Sequence, residues 1–125
     1  MVTVHQRFDD AHINDVEKAV HEQITRPEIA ARVHSGMRIA IGAGSRGIAN
    51  IEITVRATVQ ALQELGAKPF VFPAMGSHGG ATAEGQQAVL AGYGITAEGV
   101  GAPIRATMDT VLIGEMEDGT PVHVD

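Results

Sequence analysis

Residues 37–81 read MRIAIGAGSRGIANIEITVRATVQALQELGAKPFVFPAMGSHGGA, and their order decides the fold. Met37-Arg38-Ile39-Ala40-Ile41 is a short apolar run of strand type that passes directly into a glycine loop, Gly42-Ala43-Gly44-Ser45-Arg46-Gly47-Ile48-Ala49-Asn50. Beyond the loop Ile51, Val55, Val59, Leu62 and Leu65 recur at three- and four-residue spacing, which predicts a helix. Asn50 stands at its N-cap position, and Glu52 suits the positive end of its dipole. Gly66 closes it as a C′ residue, Lys68-Pro69-Phe70-Val71-Phe72 forms a second strand, and Pro73 stops that strand. A second glycine loop, Ala74-Met75-Gly76-Ser77-His78-Gly79-Gly80-Ala81, leads to Thr82, the expected cap of a helix running to about Tyr93. Strand, glycine loop and capped helix have then occurred twice.

A strand, a helix and a second strand form a βαβ unit, which makes the two strands parallel and has a right-handed crossover in ~98% of cases. Their C-terminal ends share one edge of the sheet, both glycine loops leave from that edge, and open parallel sheets bind ligands just outside it. Arg46 and His78, far apart in sequence, are therefore expected to face one site. The fold class is α/β: a Rossmann-like parallel sheet with flanking helices.

Working outward, Asn14 or Asp15 can cap a helix carrying Val16, Ala19, Val20 and Ile24, and Arg26-Pro27 separates it from a second short helix, Glu28 to Val33. Val2, Val4 and Phe8 alternate weakly, which permits a short strand. From Ile95 to Met108 only a short strand near Ile104 is expected. Thr110 to Glu115 is a strand, Glu117-Asp118-Gly119-Thr120 a turn, and Val122 and Val124 begin a returning strand, so a C-terminal β-hairpin completes the fold.

The 125 residues form one α/β domain by size, with 44% hydrophobic and 19% charged residues. Glycine, at 15 residues, is well above its usual share of roughly 7% and marks the chain as rich in turns and loops. The net charge of −6 is uneven: residues 1–50 carry six Lys/Arg and six Asp/Glu, residues 51–125 three and nine. Neither part offers the positive footprint that binding nucleic acid requires. The absence of cysteine removes disulfides, thiolate metal sites and cysteine nucleophiles. No signal-peptide profile opens the chain and no apolar run approaches the ~18 residues that span a bilayer, so the expected setting is cytoplasmic, with no membrane partner.

His78, between Ser77 and Gly79-Gly80, has no helical face on which to bury itself, and a loop histidine at the C-terminal end of a strand is a candidate for proton transfer. Arg46 offers a planar, two-donor fork suited to a carboxylate or phosphate. Ser45 and Ser77 are hydrogen-bonding loop residues rather than nucleophiles, since neither sits in a G-x-S-x-G elbow. His5, His12, His21, His34 and His123 share no metal-ligand spacing, and no side chain is assigned to a metal. Gly42 to Gly47 matches G-x-G-x-x-G, but Phe72-Pro73-Ala74 ends the second strand where a dinucleotide site needs a ribose-holding acid. An anion cradled by backbone N–H groups remains open.

Two stretches, Ile39-Ala40-Ile41-Gly42-Ala43-Gly44-Ser45-Arg46-Gly47-Ile48-Ala49-Asn50 and Pro73-Ala74-Met75-Gly76-Ser77-His78-Gly79-Gly80-Ala81-Thr82, resemble the N-terminal domain of the lactate racemase family, the nickel-dependent 2-hydroxyacid racemases and epimerases. The likeness runs from about Gly36 to Asp125. It implies an isomerase of two α/β domains that carries a nickel pincer nucleotide, a pyridinium-based cofactor tethered to a lysine, and works by reversible hydride transfer at C2 of a small 2-hydroxyacid. By position Arg46 looks like the arginine that holds the substrate carboxylate, with Ser45 and Ser77 beside the substrate, and His78 like one of two acid/base histidines. Gly42, Gly44, Gly47, Gly76 and Gly79 would line the cofactor. The family's first loop carries an aspartate shortly before its arginine, and Gly42-Ala43-Gly44-Ser45 has none. Neither lysine of the chain, Lys18 or Lys68, stands in a context resembling the tether. The resemblance makes this chain the N-terminal part of a longer protein, inactive alone; the sheet left open near Val122-His123-Val124 is in turn expected to drive self-association into a homo-oligomer. The rivals are a small nucleotide- or carboxylate-binding module without catalysis, and a structural subunit that acts after pairing with another chain.

Overall fold

A computed structural model describes residues 2–124. Residues 2–13 form no helix or strand, and Val2, Val4 and Phe8 are exposed. Three alternating apolar residues bury nothing without a neighbouring strand. Helix α1, Val16–Ile24, begins at Asp15, whose carboxylate accepts the Lys18 N–H at 2.9 Å. Helix α2 is only Pro27–Ala30, shorter than the sequence suggests. The next amides, of Arg32 and Val33, bond carbonyls three residues back, so the chain tightens into turns instead of continuing the helix.

Strand β1, Arg38–Ala43, and strand β2, Lys68–Pro73, are parallel, with Arg38 opposite Lys68 and Ala43 opposite Pro73. Helix α3, Ile51–Glu64, connects them, as the periodicity requires. The strand expected near Ile104 is reduced to one parallel bridge on the other side of β2: Val71 donates to the Pro103 carbonyl at 2.9 Å and accepts from Arg105 at 2.8 Å. Helices α4, Ala83–Gly92, and α5, Ala97–Val100, lie between β2 and that bridge in sequence. Strands β3, Val111–Glu115, and β4, Pro121–Val124, pair antiparallel in a separate two-stranded sheet with a bulge between Leu112 and Gly114. Its turn is tied by Asp118, whose carboxylate accepts the Thr120 N–H at 2.9 Å, a bond that holds the carboxyl below its ordinary pKa. The architecture is therefore mixed α/β.

The core forms where α3, β2, α4 and α5 meet. Val59, Val71 and Leu90 are fully buried, with Ile95 and Val100 almost so, and each contributes roughly 1.5–3 kcal/mol by leaving water. Alternation along the strands follows: Pro69, Val71 and Pro73 are buried, while Phe70 and Phe72 on the opposite face are only half-buried. Arg38 and Arg105 place their guanidinium groups 5.7 and 4.8 Å from the Phe70 ring centre. No helix among the described residues is long and apolar enough to cross a membrane.

Asn50 departs from its expected role. Its backbone is left-handed (φ 59°), and its side chain caps nothing. A side chain carried on that conformation is not aimed at the first-turn amides, whereas asparagine tolerates the conformation itself better than most residues. Thr82 does act as expected, accepting the Gly85 N–H at 3.0 Å at the start of α4.

Candidate functional site

The strand register brings the two glycine loops together. Past the last paired residues, Ala43 and Pro73, the ladder gains one more rung, with the Ala74 N–H donating to the Ala43 carbonyl at 2.8 Å. Ser45 lies two residues beyond that rung on one strand and His78 four residues beyond it on the other. Their side chains meet: Ser45 Oγ and His78 Nδ1 are 2.5 Å apart. Residues separated by 33 positions in sequence thus share one hydrogen bond at the C-terminal edge of the parallel sheet.

Both partners are anchored from below. The hydroxyl of Tyr93, at the end of α4, donates to the Ser45 backbone carbonyl at 2.7 Å. Gln86, only 1% exposed, donates from Nε2 to the Gly76 carbonyl at 2.8 Å and fixes the root of the second loop. The His78 N–H bonds the Met75 carbonyl and the His78 carbonyl accepts from Ala81, both at 3.3 Å. Neither Tyr93 nor Gln86 stands out in the sequence. The only trace of them is a polar group on the α4 face that otherwise buries Leu90.

His78 itself is exposed, and its Nε2 has no hydrogen-bond partner among the described residues. Arg46, next to Ser45, is also exposed and joins no ion pair among the described residues. The edge therefore presents an uncommitted guanidinium on one loop and an imidazole with an uncommitted nitrogen on the other. That set can hold an anionic group and accept a proton close to it. Ser77 is exposed and its hydroxyl joins no hydrogen bond among the described residues, so the structure gives it no part in the pair.

The glycines divide into two kinds. Gly44, Gly47 and Gly76 have open space where a Cβ would stand, leaving room at the loops. Gly42 and Gly79 are committed to packing. A Cβ on Gly42 would sit 3.1 Å from the Ala74 Cβ and 3.2 Å from the Phe72 ring, and one on Gly79 would sit 2.5 Å from the Gln86 nitrogen.

Neither lysine of the chain lies at the two loops. Lys68 opens β2, roughly 16 Å of strand away from the loops, and Lys18 lies on α1 beside Glu22 at 3.8 Å. Among the described residues no three His, Cys, Asp or Glu side chains are grouped to hold a metal ion. His21 instead bonds Glu64 at 2.7 Å, where α1 packs on α3. No protein-family model, curated protein or solved structure matches the chain.

Proposed function

We propose that this chain is the substrate-carboxylate-binding and proton-transferring part of a 2-hydroxyacid racemase or epimerase of the lactate racemase type. The observation that carries the proposal is the junction of the two loops: the Ser45–His78 bond puts Arg46 and His78 on one edge, as a small hydroxyacid would need. Arg46 takes the carboxylate through its paired N–H donors. His78 then accepts the proton of the neighbouring hydroxyl at Nε2, the nitrogen left uncommitted, and returns it at the end of the cycle. In the family resembled, a nickel pincer nucleotide accepts the C2 hydride. The part assigned to this chain is carboxylate binding and proton transfer. The cysteine-free composition suits the reducing cytoplasm, which is the setting proposed.

The competing reading is an anion-binding module, favoured by the open space beside Gly44 and Gly47. Calorimetric titration of the 125-residue chain with lactate, malate and longer 2-hydroxyacids, run beside mononucleotides, separates the two. Saturable hydroxyacid binding that weakens in Arg46→Lys and His78→Ala supports the proposal. Tight mononucleotide binding unaffected by His78→Ala would instead favour the module.

A further inference from the structure

We propose that Ser45 is the positioning residue of His78: its hydroxyl oxygen accepts the Nδ1–H and keeps Nε2 unprotonated and open. The inference concerns the site described above and takes its catalytic meaning from the proposed proton transfer, although the contact stands apart from any substrate. Three observations carry it. Ser45 Oγ and His78 Nδ1 are 2.5 Å apart, the shortest link between the two loops. Ser45 is only half-exposed and its backbone is held by Tyr93, so the hydroxyl is offered from a fixed point. His78 Nε2 has no partner among the described residues, so the tautomer is governed from the Nδ1 side.

The direction of the bond follows from what each group can do. In the proposed Nδ1–H tautomer the hydroxyl oxygen accepts from Nδ1–H in the neutral ring and goes on accepting once the ring is charged, when both nitrogens are donors. Proton arrival at Nε2 then breaks the substrate O–H bond, forms the Nε2–H bond and leaves the substrate oxygen as an alkoxide, with no change at the Ser45 contact. The opposite polarity, Oγ–H to Nδ1, would place the proton on Nε2 and close the only nitrogen free to accept one. Serine thus occupies the part that a carboxylate or backbone carbonyl takes beside other functional histidines. It does so without adding a negative charge next to Arg46. Tyr93 acts one step further back, by holding the Ser45 carbonyl.

The test is a long-range proton–nitrogen NMR correlation on the 125-residue chain with nitrogen-labelled histidine, at a pH where the ring is neutral. His78→Gln identifies the His78 signals among the six histidines. The expected result is a protonated Nδ1 and a bare Nε2 in the unsubstituted chain. In Ser45→Ala the tautomer ratio should move toward Nε2–H by about fivefold or more, the effect of one ordinary hydrogen bond. Ser45→Thr should retain the original tautomer. The Tyr93 bond uses the Ser45 backbone, so Ser45→Ala keeps that anchor, and unchanged amide signals from Tyr93 would confirm an intact loop. An Nε2–H tautomer in the unsubstituted chain, or an identical ratio in Ser45→Ala, overturns the inference. Adding lactate to the same samples keeps the two claims separate. If no hydroxyacid binds while the tautomer obeys Ser45, the racemase proposal fails and the positioning role stands.

Discussion

Gly79 and Gly85 pack backbone against backbone. A Cβ placed on Gly85 would run into the Gly79 carbonyl, and one on Gly79 would sit 2.5 Å from both the Gly85 carbonyl carbon and the Gln86 nitrogen. Gly79 also has φ +65°, a conformation that side chains other than glycine adopt at a cost. The second loop can therefore fold back onto the first turn of α4 only with glycine at both positions, and His78 is set by that fold-back because it directly precedes Gly79.

Gly85→Ala should destabilise the chain by about 2 kcal/mol or more, although alanine is the better helix former. Urea unfolding measures the loss. The same variant should displace His78 from Ser45, visible as altered His78 signals, and unchanged stability would mean that the two backbones do not need this approach.

Gln86→Leu keeps the volume of a buried side chain but removes its bond to the Gly76 carbonyl. A cost of about 1–2 kcal/mol is expected, with faster amide exchange across Ser77–Gly80 and little change in β1. Uniform acceleration across the chain would show that Gln86 supports the core at large rather than the loop.

The hairpin carries exposed apolar side chains: Val111 at 63%, Leu112 at 53% and Ile113 at 64% of full exposure. Edges and patches of this kind recruit partners, so the chain is expected to self-associate through them. Light scattering at tens of micromolar should show a dimer or larger species, and Ile113→Lys should shift it toward monomer. A clean monomer before substitution contradicts the expectation.

Sequence alone reached the repeated strand, loop and helix, because Ile51, Val55, Val59 and Leu62 keep helical spacing and both strands are bounded by glycine or proline. It also led to Arg46 and His78, since the order of elements sends both loops to one edge. Helix α5 escaped notice because its four residues bury only Val100, too little for any periodicity to register. The capping role read into Asn50 failed because residue preference says nothing of the backbone conformation that the turn before α3 imposes. The resemblance sets Ser45 beside the substrate and gives no hint of its contact with His78. Its bond to His78 depends on the strand register that sets Ala43 opposite Pro73, and its anchor depends on Tyr93, which α4 brings back from 48 residues away. Neither relation is local in sequence.

The central claim, that this edge binds the carboxylate of a 2-hydroxyacid through Arg46, is tested most directly by titrating lactate into the unsubstituted chain and into Arg46→Lys. Lysine keeps the charge and loses the planar pair of donors, so affinity should fall about tenfold while the chain remains equally stable. Equal affinity in the two proteins, or no saturable binding in the unsubstituted one, contradicts the claim.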